Sequence, residues 1–270
     1  MIFYFIGGLI GFVTSFFWKA LILEFLIKYK IAKTNYKQEI IPVGMGILLF
    51  FSVLIASFFI IFFTEQPIIY YVFLFGLSLI AFAGLLDDII DENEVKGLKG
   101  HLKKMFNGEL TGGGIKAIIG TLIAFYVSFL FSTDIIDLIL NILIILFSIN
   151  SINLFDLRPG RALKIFFLIS IIYWIIGDFS DKYLTLLVIG SSLPILKGDL
   201  KGQYMLGDVG ANILGYTLAF TGMISLNFYY KMISIVLLIV LHIIAETKSI
   251  SSIINKVPLL RYLDYLGREK

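Results

Sequence analysis

Asp87 and Asp88 stand side by side at the end of a stretch, Gln66 to Leu86, that carries no charged side chain. The stretch is long enough to cross a bilayer, so the pair lies where hydrocarbon gives way to water. Adjacent carboxylates repel each other, and a membrane edge is a costly place to leave them unpaired. A divalent cation, or a substrate carried on one, resolves that repulsion. Asp91 and Glu92 follow; a helix continued through them sets each one turn beyond Asp87 and Asp88.

Two more sites have similar chemistry. In Asn150-Ser151-Ile152-Asn153-Leu154-Phe155-Asp156, Asn150 and Asn153 share a helical face at i, i+3. Amides turned into a bundle interior are costly unless they bind something or each other. In Met205-Leu206-Gly207-Asp208-Val209-Gly210, the glycines let the backbone come close to a ligand, and a helix N-terminus attracts phosphate. Basic residues accompany the aspartate pair in Gly97-Leu98-Lys99-Gly100-His101-Leu102-Lys103-Lys104. Carboxylates that hold magnesium, beside lysines that meet phosphate oxygens, make a pyrophosphate-handling site. With 2 histidines and no cysteine in the chain, oxygen donors dominate, which suits magnesium better than zinc.

Each group also has a plainer duty. Asp208 can cap a helix, Asn150 and Asn153 can join two helices, and Lys99 to Lys104 can touch anionic lipid. His101 alone reads as a surface histidine, and His242 and Glu246, at i, i+4, can bond each other. Thr111-Gly112-Gly113-Gly114 reads as a flexible lead into a helix rather than a phosphate nest. What favours chemistry is convergence of separate loops on one face.

The elements that position these residues follow from composition. The 270 residues are 59% hydrophobic and 15% charged, with a mean hydropathy of +0.96, as expected of a chain with most of its mass in lipid. A net charge of +3 is too weak to argue for nucleic acid. Met1 to Trp18 has neither the basic start nor the small-residue cleavage site of a signal peptide, so it is expected to remain as a span. Apolar runs predict an all-α polytopic bundle of nine spans, near 2–27, 44–64, 68–86, 113–132, 135–155, 162–177, 182–197, 207–226 and 231–248. The whole of 1–270 reads as one integral-membrane domain, with loops near 28–43, 87–112, 156–164 and 197–208 and a tail at 249–270.

Basic residues orient it. Lys28, Lys30, Lys33, Lys37, Lys96, Lys99, Lys103, Lys104, Lys116, Arg158, Arg161, Lys164, Lys197, Lys201, Lys248, Lys256, Arg261, Arg268 and Lys270 fall on one set of loops. Lys182 and Lys231 alone fall on the other, and Lys19 sits within the first span. The positive-inside rule then predicts the N-terminus outside, the C-terminus in the cytoplasm, and every acidic motif on the cytoplasmic face of the cell membrane.

In this order, Asp87-Asp88, Gly97-Leu98 with Lys103, Asn150-x-x-Asn153-Leu154-x-Asp156 and Gly207-Asp208-Val209-Gly210 resemble one family. The chain is similar, from about Pro42 to Tyr216, to the polyprenyl-phosphate N-acetylhexosamine-1-phosphate transferases. These include the phospho-MurNAc-pentapeptide translocase and the GlcNAc-1-phosphate transferases of wall and surface polymers. The resemblance implies transfer of a sugar 1-phosphate from a UDP-sugar to a polyprenyl phosphate, with release of UMP. It implies magnesium, with manganese as a substitute, held by Asp208 and Asp88. Asp87, Asp88, Asp208 and Lys103 would be catalytic. Asn150, Asn153, Asp156, Arg158, Arg161, Lys99 and His101 would hold substrate. The expected partners are polyprenyl phosphate, the UDP-sugar and membrane lipids, and a homodimer is compatible with the chain.

Departures from the family pattern cluster where a sugar would be recognised. A second Asp-Gly gives way to Asp156-Leu157-Arg158-Pro159-Gly160-Arg161, and neither the adjacent histidines nor a tenth span follows. Two other readings stand beside the transferase. One is a non-catalytic relative that binds polyprenyl phosphate or nucleotide; the other is a cation-coupled transporter, whose carboxylates would be expected at mid-bilayer.

Overall fold

The computed structural model describes residues 2–90, 104, 108–109, 111–178 and 180–268. It is 80% helical. The helices are α1 (Ile2–Lys28), α2 (Gly46–Ile61), α3 (Pro67–Ile89), α4 (Gly112–Phe131), α5 (Ile135–Phe155) and α6 (Arg161–Ile176). A short 3-10 turn (Ser180–Leu184) leads into α7 (Thr185–Leu200), followed by α8 (Gly207–Ser225) and α9 (Phe228–Thr247). Two short helices, α10 (Ile250–Lys256) and α11 (Pro258–Tyr265), close the described chain. Each apolar run of the sequence thus carries a helix. Among the described residues, six helical stretches are long and apolar enough to cross a membrane: α1, α3, α4, α5, α9, and α7 with its leading turn. The apolar α2 is shorter.

The bundle is built around α8, in which every residue but Asp208 and Ile224 is buried. Small residues recur along it at Gly207, Ala211, Gly215 and Ala219, the four-residue spacing that lets helices approach closely without lipid-repelling forces to drive them. A Cβ on Gly46 would lie 2.1 Å from the backbone nitrogen of Gly210, and one on Gly84 would lie 2.6 Å from the Asp208 carbonyl. A Cβ on Gly215 would lie 2.6 Å from Ile149 Cα. Helices α2, α3 and α5 therefore meet α8 backbone to backbone. Because α8 faces protein on all sides, it has no need of a lipid-matched surface. The outer helices α1 and α9 do the reverse, leaving Phe16, Phe17, Leu21, Ile233, Leu237 and Ile243 exposed.

One element departs from the all-α expectation. Between α1 and α2, β1 (Ala32–Thr34) pairs antiparallel with β2 (Ile40–Pro42). Asn35 organises the turn: its Oδ1 accepts the Lys37 and Glu39 amides at 2.8 and 3.0 Å, and its Nδ2 donates to Glu39 at 2.9 Å. A side chain that supplies such local bonds favours a turn over a helix. The strand then zips onto the lead into α8. Met205 donates its amide to Pro42 at 2.8 Å, Met45 to Met205 at 3.2 Å, and Gly46 to Leu206 at 2.9 Å.

Candidate functional site

These constraints bring the ends of α3, α4, α5 and α8 together with the hairpin. Helix α3 runs on to Ile89, so Asp87 and Asp88 occupy its last turn. Asp88 is buried, and its two oxygens accept the amides of Asp208 and Val209 at 3.0 and 3.1 Å. It thereby caps the first turn of a different helix, α8, where orphan N–H groups and the helix dipole favour a negative charge. Gly207 makes this seating possible. Its φ of +77° is open to glycine, and a Cβ there would lie 2.5 Å from Asp88 Oδ2.

The other two aspartates share a lysine. Lys116, in the second turn of α4, contacts Asp208 Oδ1 and lies 3.5 Å from Asp87 Oδ2. Thr111 fixes the start of α4 by accepting the Gly114 amide at 3.0 Å, so the Thr-Gly-Gly-Gly run is a capped helix start and aims Lys116 inward. From the hairpin, Lys33 donates to the Asp87 carbonyl at 2.9 Å and lies 3.7 Å from Asp88 Oδ1. Neither Lys33 nor Lys116 stood out in sequence except as positive charge. The signal that could have found Lys116 is its place one turn past a Thr-Gly-Gly-Gly cap.

The asparagines divide. Asn153 donates to Asn212 Oδ1 at 2.8 Å, and Asn212 in turn reaches the Ile80 carbonyl at 3.5 Å, joining α5, α8 and α3 just behind the aspartates. Asn212 is one turn beyond Asp208, a spacing visible in sequence but not singled out. Asn150 points elsewhere, meeting His242 Nε2 on α9 at 2.9 Å, while His242 Nδ1 meets the Leu238 carbonyl at 2.8 Å. His242 thus bonds Asn150 rather than closing on Glu246.

Beside the cluster, Asp156 and Arg158 line a cleft with Asn35, Tyr36, Asp199 and Tyr204. The Arg158 guanidinium stacks 4.3 Å from the centre of the Tyr36 ring. Burial, together with the charges of Asp199, Asp208 and Asp88, pushes the Asp156 carboxyl well above the usual carboxylate range. Asp199, another residue that sequence reasoning passed over, is buried at the back and accepts the Gly160 amide at 2.8 Å. Arg161 faces away from this cleft. It is buried in a bidentate pair with Asp264, at 2.8 and 2.9 Å, and donates to Ser251 at 3.0 Å. Lys99, His101, Lys103, Asp91 and Glu92 lie outside the described residues.

The donor set fits a hard divalent cation in composition. Asp87, Asp88 and Asp208 set three carboxylates against the ammoniums of Lys33 and Lys116. Ionised together they leave one negative charge, and every donor is oxygen, the preference of magnesium. Among the described residues no three acidic or histidine side chains converge on one point. Magnesium in phosphoryl-transfer sites is commonly held by one or two carboxylates, with substrate phosphates supplying the rest. Asp208 and Asp87 suit that arrangement. The oxygens of Asp88 are engaged by α8 amides, though each keeps a second lone pair. Compared with known proteins, the chain matches no protein-family model and no curated protein sequence.

Proposed function

We propose that the protein transfers a sugar 1-phosphate from a UDP-N-acetylhexosamine-type donor to a polyprenyl phosphate, releasing UMP. The observation that carries this reading is the juxtaposition of Asp87, Asp88 and Asp208 with Lys33 and Lys116 at one end of a bundle of lipid-matched helices. The acceptor phosphate would reach this cluster from the membrane, its tail remaining in lipid. Lys33 and Lys116 would meet phosphate oxygens, and Asp87 would orient the attacking lipid phosphate in line with the donor pyrophosphate. Magnesium, when bound at Asp208 with Asp87 or Asp88, would neutralise charge developing on the pyrophosphate. The neighbouring cleft, with Asp156, Asn35 and the Tyr36–Arg158 stack, would take the uridine end. Lys103, Lys99 and His101 would complete the phosphate side.

The reading sets the chain in the cell membrane as nine spans, N-terminus outside and this cluster in the cytoplasm. What supports the orientation is the count of basic residues, with Lys182 and Lys231 alone on the loops at the opposite end.

One observation favours a second reading. Lys116 already sits between Asp87 and Asp208, so the pair is compensated without a metal, as a non-catalytic binder of polyprenyl phosphate or nucleotide would require. The two readings part on turnover. Purified protein with magnesium and polyprenyl phosphate should release UMP from at least one member of a UDP-N-acetylhexosamine panel. Binding of the lipid phosphate with no release across the panel would replace the transferase with the binder.

A further inference from the structure

Helix α11 is inside out. Its single buried residue is Asp264. Leu259, Tyr262, Leu263 and Leu266, spaced i, i+3, i+4 and i+7 along one stripe, are 67, 65, 46 and 52% exposed. A surface helix of a soluble domain turns such a stripe toward the core. Here charge holds the helix instead. Asp264 takes both Arg161 and Arg268, the latter at 2.6 and 2.9 Å, and Lys164 donates to the carbonyls of Leu263 and Asp264 at 3.0 and 2.8 Å.

We propose that α10 and α11 lie in the interfacial layer of an anionic membrane, with the Leu259–Leu266 stripe among the acyl chains. Three observations name lipid as the occupant. First, only Lys248 and Ser249 separate α10 from α9, so the tail starts at the depth where a lipid-matched helix ends. Second, residues 248–261 carry Lys248, Lys256 and Arg261, all exposed, and no acid. Of the two acids that follow, Asp264 is enclosed by two arginines and Glu269 lies outside the described residues. The outward charge therefore matches anionic headgroups. Third, Tyr262 and Tyr265 are exposed, an aromatic body with a polar tip that favours headgroup depth.

The absence of cysteine makes single reporters straightforward. Full-length Tyr262→Cys and Leu263→Cys, each carrying an environment-sensitive fluorophore, would be placed in nanodiscs of phosphatidylcholine and phosphatidylglycerol in equal parts. Leu237→Cys on α9 would report insertion, and Leu259→Cys would replace any reporter that fails to insert. Nitroxide-labelled lipid should quench both tail reporters at least about threefold more than aqueous iodide does, as for a buried apolar face. Iodide quenching equal to or above that of the lipid nitroxide would put the stripe in water and overturn the proposal. Protection from both quenchers would also overturn it, with a second copy or another protein as the cover.

Discussion

Asp88 at the end of α3 accepts the backbone amide of Asp208 at 3.0 Å, so one member of the acidic cluster is the helix cap of another. The two aspartates thus differ in kind: Asp88 holds the floor of the site, and Asp208 presents its carboxylate to Lys116. Asp88→Ala should lower stability by about 1–2 kcal/mol, the range for a lost N-terminal cap. Asp208→Asn should leave the melting temperature nearly unchanged while abolishing UMP release. Thermal unfolding in detergent beside a UMP assay separates them, and equal destabilisation by both would remove the distinction.

Lys116 should behave as a stand-in for positive charge. In Lys116→Gln, Asp87 and Asp208 face each other without their ammonium, so the folded protein should gain more stability from added magnesium than the unaltered chain does. Turnover should fall by about 10²-fold or more, as on loss of a group that stabilises transition-state charge. An identical magnesium response in both proteins would mean that the carboxylates do not share a cation site.

The Asn153–Asn212 pair allows glue to be told from binding. Asn153→Leu alone strands a buried amide and should cost about 1–3 kcal/mol, whereas Asn153→Leu with Asn212→Leu should recover much of it. If the pair also serves substrate, the double variant will be stable yet impaired in KM. Full activity in the stable double variant would reduce the pair to helix packing.

Asp264 gives the tail an acid limit. Burial raises its carboxyl, but hydrogen bonds from Arg161 and Arg268 outweigh this and hold it below the usual range. A depressed carboxylate contributes its stability above the unfolded-state value, about 3.9, and loses it as pH falls through the folded-state value. The mobility of a spin label at Leu260→Cys should therefore stay low at neutral pH and rise sharply only in acid. Asp264→Asn should show the acid pattern at neutral pH, because removing one partner leaves buried arginine charge uncompensated, at about 3–5 kcal/mol.

How far the sequence disclosed this arrangement depended on how local each signal was. The helices were legible because their apolar runs are long and their ends are marked by charge, glycine or proline. Asp87, Asp88, Asp156 and Asp208 were legible because carboxylates beside apolar runs are conspicuous. Lys33 and Lys116 were not, because a lysine at the basic end of a membrane protein is expected everywhere. Only the hairpin and the Thr111 cap set these two apart. The family resemblance sets Arg161 with the substrate residues, yet its partner Asp264 is 103 residues away. Nothing local in either segment announces that pairing.

The glycine contacts of α8 bear on how substitutions will distribute. Gly46 and Gly84 touch the same turn that bears Asp208, with no room for a methyl group between backbones. A saturation scan should therefore show one unbroken band of intolerance, from these glycines into the aspartates. Loss of folded protein will mark its glycine half and loss of turnover its acidic half.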